Sequence, residues 1–329
     1  MTTLVTGGTG FIGSRLALDC AKRGEAVRIL AKINNANERS GHDELKSAGI
    51  QIIDGDICDP ATAGDAMKGV KTLYHLAAAQ HEANVGDDYF RRINVEGTRT
   101  ILDAAVDAKV KRVVHGSTIG VYGMADEGPV HDRTPLFPDN IYGQTKLEGE
   151  HLARSYADRL KLAIVRISES YGPGDYRLLK LFKGIKSKKF FMVGKGANLH
   201  HPIFIDDLIE GLRRAATDNK AIGETVVLAG PTPVSTREMV DGISKALDTA
   251  GPKITVPLPA LMGAAMVIET VCRPVGIQPP LHRRRMNFFV KSFKFSGDGA
   301  REKLGFEPVV GFDEGAKRTA KWYEETGLL

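Results

Sequence analysis

Thr6-Gly7-Gly8-Thr9-Gly10-Phe11-Ile12-Gly13, almost at the start of the chain, decides the fold. Its glycines stand as Gly7-x-x-Gly10-x-x-Gly13, directly after the strand-like Leu4-Val5 and at the opening of a helix-length run over residues 11–23. In that setting the first glycine permits the tight turn out of the strand. The second lets a bound group approach the backbone, and the third lets the helix pack closely. A helix that begins near Phe11 and Ile12 aims its unpaired N–H groups at an anion. Strand, glycine turn and helix in this order predict a seat for a dinucleotide pyrophosphate on Gly7, Gly10, Phe11, Ile12 and Gly13.

Working outward, the first half of the chain alternates strand and helix signals. Strand-like runs are Leu4-Val5, Val27-Arg28-Ile29-Leu30, Ile50-Gln51-Ile52-Ile53, Leu73-Tyr74-His75-Leu76, Val113-Val114-His115 and Leu162-Ala163-Ile164-Val165. Helix-length segments lie between most of them, among them 11–23, 88–108 and 141–160. Alternation of this kind predicts an α/β fold, a Rossmann-type doubly wound parallel sheet covered on both faces. After Tyr171 the break Gly172-Pro173-Gly174 loosens the pattern. The reading is a dinucleotide-binding domain over 1–171 and a smaller, mainly substrate-binding α/β region over 172–329, with segments returning to the main sheet.

Composition narrows the function classes. A net charge of +5 over 329 residues, with acids and bases intermixed, does not point to nucleic acid. The clusters Lys186-Ser187-Lys188-Lys189 and Arg283-Arg284-Arg285 read as solvated surface, or more sharply as an anion-binding rim. Cys20, Cys58 and Cys272 are too far apart for a disulfide framework or a metal site. A first strand from about Thr2 leaves no room for a signal peptide, and the apolar stretch 258–268 is too short to cross a bilayer. The expectation is a cytoplasmic protein with no metal, no membrane span and a small-molecule substrate.

Tyr142-Gly143-Gln144-Thr145-Lys146 carries the chemistry. Four residues apart on a predicted helix, Tyr142 and Lys146 share a face. A lysine ammonium stabilises the phenolate, so that the tyrosine can take a proton from an alcohol or give one to a ketone. The lysine also suits the nicotinamide ribose. A third group is needed to orient the substrate oxygen. Ser117 and Thr118 stand at the carboxyl end of a parallel strand, where ligands bind in this architecture, although hydroxyls there also cap turns. At the end of the second strand, Leu30-Ala31-Lys32 has no acid for a ribose 2′-hydroxyl. Lys32 instead suits a 2′-phosphate, or is a solvated loop residue. The cofactor expected is NADP, with NAD as the alternative.

On these motifs the chain resembles the extended short-chain dehydrogenase/reductases of the epimerase/dehydratase type. The resemblance extends to Gly55-Asp56-Ile57-Cys58-Asp59, His75-Leu76-Ala77-Ala78, Asn94-Val95-Glu96-Gly97-Thr98, Val121-Tyr122-Gly123, Phe204-Ile205-Asp206-Asp207-Leu208 and Leu304-Gly305-Phe306-Glu307-Pro308. It implies that Asp56 and Ile57 border the adenine, that Leu76, Ala77, Ala78 and Asn94 belong to the cofactor site, and that Thr118, with Ser117 beside it, is the catalytic hydroxyl. Reductases resembling dihydroflavonol reductase carry an arginine at the position of Lys32. Substrate contacts are expected at Glu169 and His201. Sugar-nucleotide members often have asparagine at the position of Glu169, whose charge would repel a diphosphate unless directed elsewhere. The stretch from Pro279 to Phe295 is more similar to 3β-hydroxysteroid dehydrogenase relatives, for which 258–268 would be an apolar substrate wall or, more plainly, a buried helix.

The leading expectation is an oxidoreductase that interconverts a secondary alcohol and a ketone. The alternative is a nucleotide-sugar epimerase or dehydratase that returns its hydride, and the remote one a non-catalytic NADP sensor. Many relatives form a four-helix dimer interface from the helices over 88–108 and 141–160, so the resemblance implies a homodimer.

Overall fold

A computed structural model describes residues 1–32, 41–80, 85–123, 128–272 and 288–329. Its centre is a seven-stranded sheet of β1 (Thr2–Thr6), β2 (Ala26–Ala31), β3 (Gln51–Asp54), β4 (Val70–His75), β5 (Arg112–Thr118), β6 (Leu162–Ile167) and β7 (Thr225–Leu228). The spatial order is β7-β6-β5-β4-β1-β2-β3, and every pair is parallel. The order reverses between β1 and β4. In open α/β sheets, ligands bind beyond the strand ends at such a switch.

Side chains alternate across the sheet, so each strand feeds two cores. Val5, Ile29, Tyr74 and Val114 join one core with Leu16, Leu208 and Leu212 of the helices Phe11–Lys22 and Ile205–Thr217. Their neighbours Leu4, Leu30, Leu73 and Val113 join the other with Ala63, Met67, Ile101, Leu102 and Ala153. Burial on both faces explains the near-continuous apolar strands.

Two helix readings change. The expected α-helix over 88–108 has a π-helical turn, Arg92–Gly97, between Asp87–Arg91 and Thr98–Asp107. The helix expected over 141–160 is Ile141–Arg154. Tyr156 and Leu160 keep the apolar spacing because they are buried in the turns that follow, so periodicity alone could not mark the helix end.

From Ser170 onward the described residues form three two-stranded pairs. Ser170–Tyr171 pairs with Ile203–Phe204, Leu199–His200 with Val234–Ser235, and Met192–Val193 with Thr255–Val256. The apolar segment expected as a substrate wall or a buried helix is the helix Leu258–Cys272. It buries Leu261 beside Val193 but leaves Met266 47% exposed, and none of its described residues lines the cleft between β1 and β4. Most of the stretch from Pro279 to Phe295, with Arg283, Arg284 and Arg285, lies outside the described residues. Among the described residues no helix is long and apolar enough to cross a membrane.

Candidate active site

A cleft of about 410 Å³ opens at the switch point. One wall is the glycine loop. Gly7 has φ +68°, open to glycine without strain, and a Cβ there would lie 2.9 Å from the Ala77 backbone. A Cβ on Gly13 would lie 2.2 Å from the Gly7 carbonyl oxygen, so only glycine lets the helix Phe11–Lys22 start this close to the strand. Gly10 caps that helix and supplies no side chain to its first-turn N–H groups. A narrow turn lined by backbone donors at a helix N-terminus fits a pyrophosphate. Gly7, Gly10, Phe11, Ile12 and Gly13 all line the cleft.

Lys32, Asp56 and Ile57 line its far end. The Lys32 ammonium lies 3.7 Å from the Asp56 carboxylate, which also pairs with Arg92 at 2.5 Å. Burial pushes the Asp56 carboxyl up, but the Cys58 N–H and the Arg92 guanidinium outweigh it and hold the group below its usual range. Among the described residues, Lys32 and Arg92 thus share the one Asp56 carboxylate at this end. Arg92 was not singled out in the sequence: it comes from the π turn, far from the second strand.

At the opposite end, Gly116, Ser117, Thr118, Tyr142 and Lys146 line the cleft together. Asn140 caps the helix Ile141–Arg154 by accepting from the Gly143 N–H at 3.0 Å. Tyr142 thus stands in the first turn, where the helix dipole favours negative charge. Lys146 is 3% exposed, and its ammonium donates to the Gly116 carbonyl at 2.6 Å. Burial lowers its pKa from 10.5 to about 8, with the Glu150 carboxylate opposing. Ser117 donates to Glu150 at 2.6 Å, so its hydroxyl is committed to the helix behind the cleft. Thr118 Oγ1 accepts from the Gly120 N–H at 3.1 Å, which leaves its own proton to donate. Of the two hydroxyls, Ser117 is the one bound to Glu150, and Thr118 is not.

Leu76, Ala77 and Ala78 form the cleft wall facing the glycine loop. Asn94 is not among the lining residues. Buried in the π turn, it exchanges two hydrogen bonds with the Ala79 backbone, at 2.8 and 3.0 Å, and donates to Thr145 at 2.9 Å. It ties the cofactor-side loop to the helix of Tyr142 and Lys146.

Glu169 and His201, expected as substrate contacts, are held elsewhere. The Glu169 carboxylate accepts from the His201 backbone N–H at 3.1 Å and lies 3.0 Å from His200 Nδ1. His201 uses both ring nitrogens, toward the Gly230 carbonyl at 2.9 Å and the Phe295 N–H at 3.0 Å. Neither lines the cleft. Arg177, not singled out in the sequence, does. It is fixed by Asp175 at 2.9 Å and by Ser170, and stands 5.6 Å over the Phe11 ring. The signal that could have found it is a cation four residues after Pro173, in a glycine-rich turn beside the pyrophosphate helix.

A model of the NAD dependent epimerase/dehydratase family matches residues 3–229. A Stigmatella aurantiaca protein named 4-hydroxy-2-methyl-3-oxo-4-farnesyl-3,4-dihydroquinoline-1-oxide ketoreductase is 31% identical, over 96% of this chain and 94% of its own. The 3beta-hydroxysteroid-dehydrogenase/decarboxylase isoform 2 of Arabidopsis thaliana is 29% identical over 96% of this chain, which spans 61% of that protein's length. Among solved structures, a double mutant of the dTDP-glucose 4,6-dehydratase DesIV from Streptomyces venezuelae, with NAD bound, has a TM-score of 0.80 and 27% identity, with 100% of both chains covered. The chain belongs to the NAD dependent epimerase/dehydratase family, and it is an enzyme of the extended short-chain dehydrogenase/reductase type.

Proposed function

We propose that the protein interconverts a secondary alcohol and a ketone and uses NADP. The observation that carries this reading is the convergence of Tyr142, Lys146 and Thr118 on the cleft that the glycine loop walls. A bound nicotinamide supplies or accepts the hydride. Tyr142 gives a proton to the carbonyl oxygen in reduction and takes it back in oxidation. Lys146, buried with its ammonium on the Gly116 carbonyl, stabilises the phenolate and is placed to hold the nicotinamide ribose. Thr118 donates to the same substrate oxygen and fixes its position. The ketoreductase relative supports a carbonyl substrate. Tyr142→Phe is expected to lower turnover by about 10²–10⁴ with nucleotide affinity nearly unchanged. Full activity in that variant would sink the mechanism.

NADP is supported by Lys32 and Arg92 at the adenosine end, where a 2′-phosphate adds negative charge beside two cations. Lys32→Ala is expected to weaken NADPH binding by about tenfold, the effect of losing one charge-assisted hydrogen bond, and to leave NADH binding unchanged. Calorimetric titration of both nucleotides checks this. Equal losses for the two would remove Lys32 as the discriminator.

A second reading, a nucleotide-sugar dehydratase or epimerase, is favoured by one observation. The Glu169 charge that would repel a diphosphate is taken up by His200 and the His201 backbone. Identifying the nucleotide released from denatured protein separates the two. Stoichiometric NAD(H) that survives purification would favour the second reading. Empty protein that binds NADPH more tightly than NADH would favour the first.

A further inference from the structure

Behind the cleft lies a buried chain of charges. Lys146 and Glu150 are four residues apart on one helix and share its face. Glu150 is fully buried and Arg166 is 2% exposed. The Arg166 guanidinium holds the carboxylate through two bonds, at 3.0 and 2.8 Å, and the Ser117 hydroxyl donates at 2.6 Å. Arg154 stands 3.7 Å away on the outer side. Arg166 also donates to the Tyr122 hydroxyl and to the Asp132 carbonyl, both at 2.8 Å. Such a pair is weak evidence for stability, because desolvating two ions commonly costs as much as their attraction returns. Its position is therefore the thing to explain.

A lysine buried beside Tyr142 must stay charged to stabilise a phenolate, and burial opposes that charge. Tyr142 and Glu150 lie on its own helix, and His75 of β4 and His115 of β5 are the titratable groups that face it from the sheet. Both histidines are fully buried and held neutral, first by burial and then by the lysine's own charge. Glu150 is thus the carboxylate that acts on Lys146 among the described residues.

We propose that Glu150 is a positioning residue that keeps Lys146 protonated, and that Arg166 and Ser117 fix its carboxylate in place behind the lysine for that purpose. The proposal rests on the Tyr142–Lys146 reading above. It assigns Ser117 to the support of Glu150 and leaves the substrate oxygen to Thr118. It also makes the charge of the active-site lysine depend on a residue of β6 that lies outside the cleft.

The test titrates the side-chain ¹³Cε resonance of Lys146 in labelled protein, a readout that needs no substrate. The wild-type midpoint is expected at about 8. In Glu150→Gln it is expected to fall by roughly one unit or more. Glu150→Asp, which keeps the charge and disturbs the packing, should restore it. Should Glu150→Gln fail to fold, Glu150→Gln with Arg166→Met removes both charges together, and a smaller fall of the midpoint is expected, because a neighbouring cation is lost with the carboxylate. A midpoint unmoved by loss of the Glu150 charge overturns the proposal. In turnover, the alkaline limb of the pH profile of alcohol oxidation should move to lower pH in Glu150→Gln, because the phenolate loses support as the ammonium is lost, while the acid limb, where Lys146 stays protonated, should not move inward. A lower rate with both limbs in place would mark a purely structural role. Inactive Tyr142→Phe beside unmoved limbs would sink this proposal alone, whereas active Tyr142→Phe would sink the reading beneath it.

Discussion

Lys146→Met removes turnover and leaves a more stable protein. The Lys146 pKa is lowered from 10.5 to about 8, because burial disfavours the ammonium more than Glu150 favours it. Below pH 8 the lysine is protonated in both folded and unfolded chains, so the fold bears the whole cost of the buried charge. At about 1.36 kcal/mol per unit, that cost is roughly 3 kcal/mol. Methionine has similar length and no charge. It forfeits the hydrogen bond to the Gly116 carbonyl, worth about 1 kcal/mol. The expected net gain at pH 7 is about 2 kcal/mol by urea unfolding. The gain should shrink as pH rises from about 8 toward 10.5, where the wild-type lysine loses its proton and its penalty. Turnover should fall by at least about 10² under the same conditions. Loss of activity together with loss of stability would mean that the ammonium holds the fold rather than serving the cleft.

Much of this site was legible because its parts are local. The three glycines act within one turn, and Tyr142 with Lys146 within one helical turn, so spacing alone relates them. The strand pattern was legible for a similar reason: a sheet buried on both faces favours runs of consecutive apolar residues along its strands. The pairings that were not legible meet across sequence distance, including those of Asn94, a residue the sequence did single out. Glu150 reaches Arg166 of β6, Asn94 reaches both Ala79 and Thr145, and Arg92 reaches Asp56. No periodicity reports such pairings. Glu169 and His201 illustrate the converse. Their residue types suited a substrate site, but only tertiary structure reveals that the Glu169 carboxylate is engaged by His200 and the His201 backbone, and the His201 ring by Gly230 and Phe295. The π turn was also invisible, since its effect on apolar spacing is a shift of a single residue.

Mild acid is expected to unfold the protein, and His115→Leu to delay it. His75 and His115 are fully buried, with ring centroids 5.4 Å apart. Burial, and then the Lys146 charge, lower the His75 pKa to about 3 and hold that of His115 well below 6.5. In the unfolded chain both titrate near 6.5. Below that pH the unfolded state binds protons that the fold refuses, so stability falls with pH. The contribution is complete above about pH 6.5, and for His75 it is lost progressively down to about pH 3. Each ring that stays neutral costs about 1.4 kcal/mol per pH unit. For His75 alone the loss between pH 6.5 and 4.5 is about 3 kcal/mol, and His115 adds to it, against a total stability of about 5–15 kcal/mol for many domains. The two rings differ in what they do at neutral pH. His75 bonds Thr6 at 2.7 Å and Thr98 at 2.9 Å, so replacing it should cost about 2 kcal/mol above pH 6.5 by leaving those hydroxyls short of a partner. His115 has no hydrogen-bond partner for either nitrogen among the described residues. Leucine there removes an unsatisfied polar ring and breaks no bond. Stability at pH 7.5 should therefore be unchanged or higher by about 1 kcal/mol, while the slope of stability against pH below 6.5 should fall by about half. Urea unfolding of wild type and His115→Leu at pH 7.5 and 5.5 reads both quantities. An unchanged slope would mean that His115 takes up its proton inside the fold, which places a second positive charge beside Lys146 and requires Glu150 to balance both.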